Sequence, residues 1–213
     1  MIEAVVFDLD GVLVDTEELW DEARRQIAEE RGGRWRDDAQ RAMMGMSSNE
    51  WSRYMHDVIG VPDQPEQINE EVVRRLEALY RKRTPLIPGA LDAVRRIAAR
   101  WPLAIASSSN RPIIDLFLEL TETAELFRAT VSSEEVERGK PAPDVYLEAA
   151  RRLGVDPVRC AAVEDSENGI RSAAAAGMRV IAIPNAVFPP SDEALALAAV
   201  VAASLDELRP ALV

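Results

Sequence analysis

At 213 residues and 47% hydrophobic, the chain can bury one substantial core and a smaller second one. Its formal charge of −12, from 25 basic and 37 acidic residues, disfavours nucleic acid and anionic membrane surfaces as partners. No apolar run reaches the ~20 residues that span a bilayer, and MIEAVVFDLD lacks the basic start and long apolar centre of a signal peptide, so a cytoplasmic monomer acting on a small molecule is expected.

The segment from Ile2 to Asp8 is short, apolar and β-branched and meets Gly11 soon after, which suits a buried parallel strand running into a loop. Asp15 to Pro85 then shows helical periodicity without a convincing strand, with helices expected over Glu17 to Glu30, Ser48 to Val58 and Pro65 to Arg83. The last opens on a proline and stops before Thr84-Pro85, as helix ends do. After Pro88-Gly89 the pattern alternates. Strand-like Leu103 to Ala106, Ala129 to Val131, Cys160 to Val163, Arg179 to Ile183 and Ala199 to Val201 are separated by helical segments. Among these are Ile113/Phe117/Leu120, Val145/Ala149/Leu153 before Gly154, and Ile170 to Ala176 before Gly177. Alternation of this kind predicts an α/β fold: a Rossmann-like parallel sheet with helices on both faces, plus an inserted α-helical cap. The expected boundaries are 1–14 and 86–213 for the catalytic core and 15–85 for the cap.

In an open parallel sheet, ligands bind beyond the carboxyl ends of the strands. Those positions here carry Asp8-Leu9-Asp10-Gly11, Ser107-Ser108-Ser109-Asn110 and Glu164-Asp165-Ser166, and a further loop carries Gly139-Lys140-Pro141. Brought together bare, Asp8, Asp10, Glu164 and Asp165 would repel by about 4 kcal/mol per close pair at an effective dielectric near 20. A cation or protons must offset this, and an all-oxygen set without His or Cys suits a hard ion such as Mg²⁺. Lys82 and Lys140 are the only lysines among the 25 basic residues, so a lysine between Gly and Pro hints at a point charge for a phosphate. A serine hydroxyl and free main-chain N–H groups at a strand-to-helix turn would complete that grip.

FDLDGVLVDTEE, ASSSN, GKPAPDVY and VEDSENGI, in that order along almost the whole chain, resemble the haloacid dehalogenase-like hydrolase superfamily, in the helical-cap branch that includes β-phosphoglucomutase and many phosphatases. The resemblance implies that Asp8 is the nucleophile forming an aspartyl-phosphate and Asp10 the acid/base. It implies that Asp8, the Asp10 carbonyl, Glu164 and Asp165 hold Mg²⁺, and that Ser107, the Ser108 N–H and Lys140 hold phosphate. Glu17, Trp20, Met46, Ser47 and Asn110 are the residues expected towards the substrate. Asp15 reads as a hinge or cap, His56 as a surface or interface residue, and Cys160 as a buried, inert thiol.

Three activities share such a scaffold. A dehalogenase needs neither Mg²⁺ nor an acid two residues after the nucleophile, so Asp10 and the Glu164-Asp165 pair argue against one. A sugar phosphomutase typically carries a His in the first cap helix and an Arg after a Gly-x-Ser motif, where this chain has Trp20 and Ser48. Hydrolysis of a small phosphorylated metabolite (sugar, polyol or glycolate phosphate) is therefore the expected activity. A phosphomutase, or an idle binding protein on the same fold, is the alternative.

Overall fold

The computed structural model describes residues 1–44 and 46–213. Six parallel strands form one sheet in the order β3-β2-β1-β4-β5-β6: β1 Ala4–Phe7, β2 Leu103–Ser107, β3 Phe127–Ser132, β4 Cys160–Glu164, β5 Arg179–Ala182 and β6 Val200–Val201. Strand β1 lies in the middle, with Val5 in register with both Leu103 and Ala161. Because the chain leaves β1 for β2 on one side and later returns to β4 on the other, the crevice at the carboxyl end of β1 is the switch point of the sheet.

Successive side chains point to opposite faces, and the two cores follow that alternation. Val5, Phe7, Ile105 and Val163 share one core with α5 (Ala90–Ala98) and α6 (Arg111–Thr121). Val6, Ala104, Ala106 and Ala162 share the other with α7 (Asp144–Leu153) and α8 (Glu167–Ala175). Apart from Ser107 and Glu164 at their carboxyl ends, the buried positions of β1, β2 and β4 are apolar on both faces, as a sheet covered on both sides requires. Cys160 lies in the second core, fully buried, and burial pushes its thiol up to about 11.

Between β1 and β2 runs a helical insert: α1 (Glu17–Glu30), α2 (Ala39–Met43), α3 (Ser48–Tyr54) continuing through a wider turn at Met55–Ile59, and α4 (Pro65–Lys82). Its apolar faces, Trp20, Ile27, Trp51, Met55, Ile68, Val72 and Leu76, merge with the first core through Leu9, Val12 and Leu13. The two linkers pair with each other, Asp15 N–H donating to Pro85 O at 2.7 Å and Ile87 N–H to Leu13 O at 3.1 Å. The short helices α2 and α9 (Asp192–Leu195) carry too few periodic positions for the sequence to have announced them. The expected second helix of the insert, Ser48 to Val58, ends its regular part at Tyr54. No helix among the described residues is long and apolar enough to cross a membrane.

Candidate active site

A cavity of about 460 Å³ opens between the carboxyl edge of the sheet and the helical insert. Its floor is built by strand ends. Asp8 follows β1 directly, its N–H donating to Val163 O at 3.0 Å, and Asp165 follows β4. Asp8, Glu164 and Asp165 each place a carboxylate oxygen within 4.8 Å of the others, all three buried. Gly11 sits at φ +82°, and a Cβ there would lie 2.0 Å from Asp165 Oδ2, so a glycine is required for the loop to pass so close.

Lys140 neutralises part of this cluster. Its Nζ lies 2.6 Å from Glu164 Oε1 and 2.9 Å from Asp8 Oδ1. Burial opposes its charge, but the Asp8 and Glu164 carboxylates outweigh burial and raise its pKa. Glu164, fully buried, accepts on Oε1 from Lys140 and from the Tyr146 hydroxyl, and on Oε2 from the Asp165 N–H and from the N–H and hydroxyl of Ser166. Gly169 leaves room for it: a Cβ there would stand 1.9 Å from the Glu164 carboxyl carbon. Both Glu164 oxygens are thus taken by protein donors.

Asp8 and Asp165 are different. Asp8 Oδ1 has the Lys140 charge beside it but no aligned hydrogen bond, and Asp165 Oδ1 is likewise buried without one. Desolvation, with Glu164 and Asp10 nearby, pushes Asp8 up to about 8 despite Lys140, and desolvation with Glu164 and Asp8 raises Asp165 well above the carboxylate range. Two crowded, buried carboxylates, one oxygen of Asp165 without a partner and the ligand atoms on offer all oxygen, fit a hard divalent cation.

Asp10 is fastened from both sides. Oδ1 accepts from the Thr16 hydroxyl at 2.5 Å and the Trp20 indole N–H at 3.3 Å; Oδ2 accepts from Ser109 Oγ at 2.6 Å and Ser107 Oγ at 3.3 Å. Ser107 is fully buried and its hydroxyl also accepts the Ser109 N–H at 2.9 Å, whereas Ser108 and Ser109 line the cavity.

The insert supplies the roof. Glu17, Trp20 and Met46 line the cavity, together with Met43 and Met44. Ser47 does not line it: it caps α3, exchanging hydrogen bonds with Glu50. Asn110 is also away from the cavity, buried between core and insert, with Nδ2 donating to Asn69 Oδ1 and Glu134 Oε1. Thr16, Arg24, Gln40 and Asn185 line the cavity and were not singled out from the sequence. Asn185 donates to Asp165 through its main chain at 3.2 Å and its side chain at 3.3 Å, and reading the segment after β5 as another strand end would have found it. Arg24 falls four residues after Trp20 on the face that also carries Ile27, an arginine at an apolar position.

A model of the family described as haloacid dehalogenase-like hydrolase matches residues 2–177. The chain is a haloacid dehalogenase-like hydrolase. Hexitol phosphatase B of Escherichia coli K12 is 35% identical to this hydrolase over 97% of the chain and 94% of its own length. A probable pseudouridine-5'-phosphatase of Drosophila melanogaster is also 35% identical, covering 96% and 90%. Among solved structures, CbbY of Rhodobacter sphaeroides in complex with phosphate superposes with a TM-score of 0.87 at 30% identity, covering 100% and 99% of the two chains. The hydrolase therefore shares the α/β core and helical insert of that family over its full length, and relatives at this level of identity are named as phosphatases.

Proposed function

We propose that this hydrolase is a Mg²⁺-dependent phosphatase of small phosphomonoesters, sugar or polyol phosphates foremost, working through a phosphorylated Asp8. The observation that carries the reading is the floor of the cavity, where Asp8, Lys140 and Asp165 converge beside Asp10. Phosphatases of phosphorylated hexitols and carbohydrates among the relatives support the substrate class.

Lys140 and the Ser108 N–H hold the phosphate with its phosphorus facing Asp8. An Asp8 oxygen attacks, the bond from phosphorus to the substrate oxygen breaks, and Asp10 gives that oxygen its proton. Asp10 then takes a proton from water, whose oxygen attacks the phosphorus, releasing phosphate and restoring Asp8. Asp8, Asp165 and the Asp10 carbonyl would hold Mg²⁺, which when bound would supply positive charge against the phosphoryl oxygens. Glu164 fixes Lys140 and the turn at Asp165-Ser166, and Ser107 fixes Ser109 and Asp10. Hydrolysis is favoured over phosphomutase chemistry by Trp20, which occupies the place of the mutase His and donates to Asp10. Ser48, at the place of the Arg, is buried with its hydroxyl on Glu134.

Phosphate release from a panel of phosphorylated metabolites and an aryl phosphate tests this. Release that stops in excess chelator and in Asp8→Asn is expected. Absence of release from every compound, or release undiminished by chelator, overturns it.

A further inference from the structure

The roof of the cavity holds a cation with no carboxylate among the described residues bonded to it, Glu17, Asp10 and Asp21 acting on it only at longer range. Arg24 is 5% exposed, the one buried arginine among the described residues, and it reaches the cavity from α1. The guanidinium carbon lies 4.6 Å from the Trp20 ring centre and 4.8 Å from that of Trp51, two rings that themselves meet edge to face at 5.8 Å and so stand together on one side of it. Among the described residues its hydrogen bond is a long one, Nη1 donating to the neutral Gln40 Oε1 at 3.4 Å, and Nε is buried with no partner. The carboxylate that could have paired with it is engaged elsewhere, since Glu17 Oε2 accepts from Gln40 Nε2 at 2.9 Å and Gln40 stands between the two. Burial accordingly holds Arg24 down to about 10 and raises Glu17.

We propose that Arg24 forms an anion subsite at the end of the cavity facing Lys140, so that the preferred phosphomonoester carries a second anionic group, a carboxylate or another phosphate. The proposal rests on the phosphatase reading. The indole contacts use none of the guanidinium's N–H groups, so these donors are left to a ligand. In-plane N–H groups of a guanidinium match the paired oxygens of carboxylate and phosphate. A neutral hydroxyl could accept one such bond, whereas an anion also offsets the buried charge. Arg41 at the exposed rim adds to the local positive charge, against the −12 of the whole chain. Lys140 at the floor and Arg24 at the roof thus give the cavity two cationic ends.

A matched set of six-carbon substrates tests this on the full chain with Mg²⁺: a hexitol 6-phosphate, 6-phosphogluconate and a hexitol 1,6-bisphosphate, which differ in the group at the far end. The wild type is expected to prefer one of the two anionic-ended compounds over the hexitol phosphate by at least about tenfold in kcat/KM, an edge-on charge pair being worth that much. Whichever compound leads identifies carboxylate or phosphate. Arg24→Gln should bring the ratio to about one, and Arg24→Lys should keep part of it. Equal treatment of the three by the wild type, or a preference that survives Arg24→Gln, overturns the subsite. Should Arg24→Gln fail to fold, the wild-type ratio and Arg24→Lys decide. An aryl phosphate run in parallel separates the two readings, since its hydrolysis without any preference sinks only the subsite. Tryptophan quenching by the same three compounds in Asp8→Asn reads binding without turnover, and equal affinities there also count against Arg24.

Discussion

Lys140 and Glu164 form a fully buried ion pair at 2.6 Å, and the same ammonium stands 2.9 Å from Asp8. Glu164 therefore aims the one lysine of the site at the carboxylate beside which phosphate would sit. Deleting one member of a buried pair leaves an uncompensated charge, which costs about 3–5 kcal/mol. Glu164→Ala is expected to lose stability on that scale in thermal unfolding. Glu164→Gln keeps the shape but lets Lys140 drift, and its kcat on an aryl phosphate should fall at least about tenfold. A Glu164→Gln enzyme with unaltered kcat would detach Glu164 from the phosphate grip.

Without metal, the crowding at Asp8 should make the protein less stable as pH rises. The folded-state pKa of Asp8 is lifted from 3.8 to about 8 and that of Asp165 is raised as well, so across roughly pH 4 to 8 the folded state binds more protons than the unfolded one. Stability then falls as pH rises through that window. The partly buried carboxylates held near 2 by arginines, Glu71 and Glu148, act in the opposite sense and only below their ordinary value of 4.5. Thermal unfolding in chelator should show a lower midpoint at pH 8 than at pH 5, a smaller difference with Mg²⁺, and a smaller one in Asp8→Asn. A midpoint rising from pH 5 to 8 in chelator would contradict the repulsion.

Gly11 tests whether Asp165 must keep its place. An alanine Cβ would meet the Asp165 carboxylate at 2.0 Å and sit at φ +82°, a conformation costing an L-residue about 1–2 kcal/mol. Gly11→Ala is expected to raise the Mg²⁺ concentration for half-maximal turnover at least about tenfold. Gly32, just past the end of α1 and at φ +80° with open space around it, provides the control. Gly32→Ala should carry the backbone cost alone, and equal metal dependence in the two variants would remove Asp165 from the metal.

Strand ends were the legible part of the sequence. Alternation of apolar strands and helices implied the sheet, and the sheet's edge rule then collected Asp8, Asp10, Lys140, Glu164 and Asp165 from distant segments. The roof was harder because helical periodicity says which residues are buried, not what they are buried against. Trp20 and Met46 do reach the cavity, but Ser47 and Asn110 spend their polar groups on a helix cap and on the seam between core and insert. Arg24 is not legible because an arginine in an amphipathic helix reads as solvent-facing, and only the structure brings Trp20 and Trp51 together beside it. Glu164 shows the same limit at finer scale: its place after β4 puts it with Asp8 and Asp165, and the five donors to its oxygens are visible only in the structure.

Asp10 is held jointly by the core and the insert, which ties its position to that of α1. Thr16 and Trp20 fasten Oδ1, while Ser107 and Ser109 fasten Oδ2. Thr16→Val removes a 2.5 Å bond at constant shape, so an acid/base that must be aimed at the leaving oxygen loses one side of its mount. The expected result is a kcat about tenfold lower with KM changed less than about threefold, the pattern of an interaction made in the transition state. Trp20→Phe deletes a longer, 3.3 Å bond and preserves part of the stack on Arg24, so its effect should be about two- to threefold. Because both act on one carboxylate, the double variant should lose less than the product of the single losses. Multiplicative losses in steady-state kinetics would show that the two side chains act on separate groups.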